Sequence, residues 1–137
     1  MKDEIRLIMK REIDAIEKLI TSMEKQHEFM AKNNVFGMEE LAAEIEICCK
    51  NIARIEIERR KITGGKPMSQ IMKDIDDDEM TGDYRKIKKL LREAALQKDT
   101  NEILIRQGLG FSTRMLSMIN PDRSIKTYNN YGKIGKK

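Results

Sequence analysis

The residue types able to do chemistry are few in this chain, and their spacing is wrong for most of it. A single histidine, His27, stands three residues after Glu24. One Glu-x-x-His pair is half of what a di-iron helical bundle uses, and no second copy follows. Two adjacent cysteines, Cys48 and Cys49, are the only soft ligands. A disulfide between neighbours is strained and Cys48 falls on an apolar stripe, so both read as reduced thiols. With one His beside them they fall short of a zinc site. The run Asp74, Asp76, Asp77, Asp78, Glu79 invites a calcium reading. A calcium loop begun at Asp74 needs Gly sixth and Glu twelfth, where this chain has Glu79 and Arg85. Gly108-Leu109-Gly110 lies inside a helical pattern with no preceding strand, so it makes no phosphate loop. No serine has a base placed by any motif. The sequence therefore predicts a protein that is not an enzyme and holds no cofactor and no metal.

Composition points the same way. The chain has 137 residues, enough for one domain, with 36% charged residues, 4% aromatic and no Trp. That balance, with regular apolar spacing, predicts long charged helices around a thin core and argues against a β-sandwich or an α/β enzyme. The formal net charge is +4. Residues 121–137 carry Arg123, Lys126, Lys133, Lys136 and Lys137 against Asp122 alone, so the tail holds the whole excess. A basic tail suits nucleic acid or an anionic membrane. An excess this small reads better as a solvated tail, with no nucleic-acid partner. No signal-peptide pattern opens the chain and no run of about 20 apolar residues occurs, so neither secretion nor membrane insertion is expected. The protein is expected in the cytoplasm.

Three long heptad stripes organise the rest. The first helix is predicted over 2–32, with Met9, Ile13, Ile16, Ile20, Met23, His27 and Met30 stepping alternately four and three. Sustained heptad spacing argues for coiled-coil packing. His27 on this stripe reads as a packing residue or, with a titratable partner, a pH-sensitive contact. Asn33 to Gly37 supplies the turn, with Val35 and Phe36 expected to close the end of the core. The second helix should begin near Met38 with Glu39 and Glu40 in its first turn. Its stripe is Leu41, Ile45, Cys48, Ile52, Ile55, Arg59 and Ile62. Ile47 and Ile57 fall off that stripe and predict contact with a further neighbour. Gly64-Gly65-Lys66-Pro67 ends the helix.

A short Met-rich helix near 68–75, with Ser69 as N-cap, should fold onto the bundle, followed by an acidic run that reads as a solvated linker and also places negative charge at the start of the third long helix. The third long helix is predicted over 84–119, a rod roughly 50 Å long, capped by Thr81 or Asp83. Its stripe includes Tyr84, Ile87, Leu91, Ala94, Lys98, Asn101 and Ile105, with Leu90 and Leu104 beside it. Asn101 is a poor hydrophobe for such a seam. Buried, it would fix register; left open, this half would expose Leu104, Leu109, Phe111, Leu116 and Met118 to a partner. The expected fold is all-α: an antiparallel bundle of three long helices over 1–120, with a short extra helix, and a flexible basic tail over 121–137.

The order of these pieces resembles the FlgN family of flagellar export chaperones. The likeness covers nearly the whole length: a long heptad helix, a turn ahead of Met38-Glu39-Glu40-Leu41, and a second helix ending in Arg59-Arg60. A third helix then carries Asn101 ahead of an apolar half, and Tyr128 and Gly132 match the family's Tyr-x-x-x-Gly signature. The resemblance implies a cytosolic chaperone without ATPase activity. Its clients would be the C-terminal helical segments of FlgK and FlgL, delivered to an export gate that includes FlhA. It further implies a client surface in the C-terminal part, on Leu104, Leu109, Phe111, Met115, Leu116, Met118 and Ile119. Tyr128, Tyr131 and Gly132 in the tail would complete it. The other reading of the same face is a structural or adaptor coiled coil that self-associates, and a client-free homodimer fits both.

Overall fold

A computed structural model of the chain describes residues 1–106, and every regular element among them is a helix. They are α1 (Lys2–Ala31), α2 (Val35–Thr63), α3 (Met68–Ile75) and α4 (Asp78–Arg106). Residues 107–137 lie outside the described part.

Each junction follows from local chemistry. At the end of α1, Asn33 takes a left-handed conformation (φ 55). The Asn33 amide donates to the Met30 carbonyl at 3.0 Å and the Asn34 amide to that of Phe29 at 2.9 Å, the paired bonds of a Schellman closure. Asn34 then caps α2, its side-chain oxygen accepting from the Gly37 amide at 2.9 Å. Because Asn34 both ends one helix and starts the next, α2 begins at Val35, earlier than Met38. Phe36 consequently points outward, 78% exposed, and does not close the core. A Cβ on Gly37 would lie 2.7 Å from the Phe29 ring, so glycine is what lets that ring lie against the helix start.

The same device recurs after α3. Asp76 is left-handed (φ 55), and Asp77 caps α4 by accepting the Met80 amide at 3.0 Å. The acidic run is therefore the cap and first turn of a helix, where carboxylates oppose the positive end of the helix dipole. It is not a linker, and neither Thr81 nor Asp83 caps α4. Nor does Ser69 cap α3, whose N-cap position is Pro67 with no side-chain bond. Gly64 and Gly65 close α2 with positive φ, as the sequence predicts.

The described residues divide into two compact units, Met1–Thr21 with Ile47–Ala95, and Ser22–Glu46 with the part of α4 from Leu96 onward. In the first unit α1 buries Ile5, Ile8, Met9, Ile13, Ala15 and Ile16. Ile55 of α2, Ile71 and Met72 of α3, and Met80, Ile87, Leu90 and Ala94 of α4 are buried as well. Ion pairs follow the edge of this core: Lys2 to Asp77 at 3.2 Å, Lys10 to Asp83 at 2.8 Å and Lys86 to Glu17 at 3.7 Å. Their order climbs α1 and α4 in the same direction. Ile87, Ala94, Asn101 and Ile105 of the predicted α4 stripe are buried, but Leu91 is 48% exposed and its neighbour Leu90, placed beside the stripe, is buried in its stead. Ile47 and Ile57 are not buried against a further neighbour; they are 68% and 56% exposed.

In the second unit Met30 of α1, Met38 and Ala42 of α2, and Ile105 of α4 form one cluster, with Phe29, Val35 and Leu104 packed against it. Val35 thus does help close this core, as expected of it. Cys48 and Cys49 form no disulfide.

Candidate functional site

The most constrained polar group in the second unit is Asn101, only 1% exposed. Its amide nitrogen donates to the Met23 carbonyl at 2.8 Å and to Gln26 Oε1 at 3.3 Å. Its oxygen accepts from Gln97 Nε2 at 2.9 Å and lies 3.3 Å from His27 Nδ1, which donates when the proton is on that nitrogen. Two donors and two acceptor sites are all that an asparagine side chain has, and all are used. Gln26, equally buried, donates onward to the Met38 carbonyl at 3.4 Å. The relay Asn101–Gln26–Met38 ties α4, α1 and α2 together at one level. A one-residue slip of α4 would leave several buried polar atoms without partners, each costing about 1–3 kcal/mol. Asn101 therefore sets register here, and His27 serves as one of its packing partners.

Heptad reasoning found Asn101 and His27 but missed Gln26 and Ser22, both buried. Ser22, Gln26 and Met30 recur every four residues along α1, which puts them on one face beside the apolar stripe. That spacing was the available signal.

Of the residues predicted to hold a partner, Leu104 is the one within the described part. It is half-buried against the Met30–Met38 cluster. Leu109, Phe111, Met115, Leu116, Met118, Ile119, Tyr128, Tyr131 and Gly132 lie outside the described residues. The second unit does present other apolar surface: Leu96 and Ile103, one heptad apart on α4, are 69% and 54% exposed. Such positions on a charged helix are where a further helix packs.

The first unit holds a partly enclosed cleft of about 170 Å³. Its walls include Ile16, Ile52, Ile87 and Leu91, with Met68 and Tyr84 alongside. Glu12, Glu56, Arg59 and Lys88 also line it. Arg59 Nε and Glu12 Oε1 are 3.6 Å apart, an ion pair too long for a hydrogen bond, and neither atom has another hydrogen-bond partner. Burial pushes the Glu12 carboxyl above the usual carboxylate range; Arg59 pulls it back down, and Glu56 adds a further upward push.

Among the described residues no group of three or more His, Cys, Asp or Glu could hold a metal ion. Among them, too, no helix is long and apolar enough to cross a membrane. The chain shows four helices among the described residues. No curated protein and no solved structure matches it. The family described as FlgN protein matches residues 1–136. The chain belongs to the FlgN family, a family of flagellar export chaperones that serve hook-associated proteins.

Proposed function

We propose that this protein is a cytosolic chaperone of flagellar export whose clients are hook–filament junction proteins of the FlgK and FlgL type. The observation that carries the reading is the FlgN match, which runs through the C-terminal segment as far as residue 136. Client segments that form coiled coils in the assembled filament need a helical surface to shield them beforehand, and a helix-in-groove mode supplies it. In this reading Leu104, Leu109, Phe111, Met115, Leu116, Met118 and Ile119 anchor the client helix. Tyr128, Tyr131 and Gly132 close over it, and the complex docks at a gate that includes FlhA. The three long helices form an antiparallel bundle over 1–120, and residues 121–137 act as a tail. Ordering that tail on the client costs free energy, which keeps affinity moderate and release feasible.

The exposed pair Leu96 and Ile103 supports a second reading, self-association through α4, which would make the client-free protein a homodimer. One experiment separates the two. The full chain and a chain lacking residues 121–137 are co-purified with the C-terminal halves of FlgK- and FlgL-type proteins, and the masses of the species are measured. A stoichiometric complex that weakens on truncation supports the chaperone reading. A tight homodimer that takes neither client sinks it. Within the complex, Phe111→Asp should abolish client binding while leaving the helical content of the free protein unchanged.

A further inference from the structure

The cleft in the first unit joins two properties that seldom occur together in a surface depression. Its walls are partly aliphatic, and two of its lining residues, Glu12 and Arg59, each hold a buried polar atom, Oε1 and Nε, without a hydrogen-bond partner. Glu12 itself is only 7% exposed. An unpartnered buried polar atom costs about 1–3 kcal/mol, so an occupant that satisfied these two would gain affinity from both.

Size and chemistry narrow the occupant. A dry cavity of about 150 Å³ accepts a benzene ring, and the cleft is about 170 Å³. It takes one aromatic side chain, far less than a whole helix, whose diameter is about 10 Å. The charges that line it cancel, Glu12 and Glu56 against Arg59 and Lys88, so neither a cationic nor an anionic tip is favoured. The two open atoms are a carboxylate acceptor and an N–H donor, 3.6 Å apart. A hydroxyl donates and accepts at one oxygen, a neutral imidazole does so only at two separate nitrogens that face apart, an indole N–H only donates, and a phenyl ring does neither. Phenol is the aromatic group that answers all of these demands.

We propose that this cleft is a docking pocket for a tyrosine side chain of a partner protein. The ring lies among Ile16, Ile52, Ile87 and Leu91, and its hydroxyl donates to Glu12 Oε1 while accepting from Arg59 Nε. The Arg59 side chain, 20% exposed, swings slightly to admit it. The Glu12 carboxyl is raised by burial even with Arg59 close by, which agrees with a carboxylate poorly solvated while the pocket is empty. The wider cleft next to it shares Arg59 but not Glu12, so only one of the two unpartnered atoms belongs to a residue that lines it. Its Arg60 and Lys66 are already paired, with Glu56 at 2.6 Å and Asp74 at 2.7 Å. The residues named for this pocket are not those of the client-binding reading, so failure here leaves that reading standing, and loss of client binding leaves the pocket standing.

The test titrates p-cresol, the tyrosine side chain as a free molecule, into the full chain, with toluene in parallel. The readout is the methyl and amide NMR shifts of Ile16, Ile52 and Leu91. Expected are saturable p-cresol shifts at these residues and toluene binding about tenfold weaker, the worth of one good hydrogen bond. Glu12→Leu should bring the two probes together, while Glu12→Gln, which keeps an acceptor, should preserve the preference. Leu91→Arg at the rim should weaken both. Equal affinity for the two probes, or p-cresol shifts only elsewhere, overturns the proposal. So does a probe-free shift of these residues on raising protein concentration, because a second copy would then be the occupant.

Discussion

The two compact units are built from the same three long helices yet hold their cores in different ways. The first is aliphatic: isoleucines dominate its buried set, and its one buried polar residue among those described is Glu12. Charge is kept to the edges, in the pairs linking Lys2, Lys10 and Glu17 to α4. The second unit buries Met23, Met30 and Met38 with few aliphatic partners. At its centre lie Ser22, Gln26, Asn101 and Glu102, all buried. Apolar area supplies stability without direction, at about 25 cal/mol per Å², whereas a saturated amide network specifies one alignment. The first unit is thus held chiefly by burial. The second trades burial for register, and soft methionines fill what space remains. Local opening follows apolar burial, so the second unit should exchange its amides sooner than the first.

Truncating a core side chain in the aliphatic unit should have the largest effect. Met9→Ala, at a fully buried position, should cost about 3 kcal/mol and be read as a lowered midpoint in urea unfolding. A loss below about 1 kcal/mol would mean that this core is as adaptable as the other. Next is Asn101→Ala, which strips the network of its hub and should cost about 2 kcal/mol. Hydrogen exchange should localise that loss to residues 22–46. Uniform loss along the whole chain would break the distinction between the two units.

The paired turns give a finer test. Asn34→Ala removes a neutral cap and should cost about 1 kcal/mol at every pH. Asp77 caps in the same way, and its carboxyl is held below the usual range by the Met80 amide first and then by Lys2 and Arg6. A depressed folded pKa gives stability that is present above the unfolded pKa and lost as pH falls through the folded one. Asp77→Asn should therefore lower stability at neutral pH and flatten the acid limb of the stability curve, whereas Asn34→Ala should shift the curve without changing its slope.

Glu12 has the opposite sign and should show the smallest effect. Its carboxyl is raised, so folding favours the protonated form. Its contribution improves as pH falls from the raised folded value towards the ordinary carboxylate range. Glu12→Gln should consequently make the protein lose more stability on acidification than the parent does, as followed by thermal melts from neutral to acid pH. An unchanged acid limb would mean that solvent reaches this carboxyl in the folded protein.

Periodicity made the helices legible because a heptad stripe is a property of one chain segment: Met9, Ile13, Ile16, Met23 and Met30 were identified from spacing alone, and all are buried. The helix-breaking signals Gly64, Gly65 and Pro67 were equally local. Junctions fared worse. Phe36 was assigned to the core by its hydrophobicity, but the cap at Asn34 starts α2 early and turns its ring outward. The acidic run read as a linker because its role depends on Lys2 and Arg6, some seventy positions earlier in the chain. Much of the sequence-predicted partner surface falls beyond residue 106, and the cleft left no mark in the sequence at all. Glu12, Arg59 and Leu91 come from three separate helices and carry no shared motif.

By itself, then, the sequence determined that this chain is helical, which faces of its helices seek burial, and, through the order of its motifs, the FlgN family. Those are consequences of spacing and of residue chemistry within one segment. Only the tertiary structure decided which of two adjacent leucines is buried, and that Asn101 fills every hydrogen bond it can make. It alone revealed that Glu12 and Arg59 meet without joining. Each of these depends on the rotation and axial position of one helix against another, which no single segment encodes.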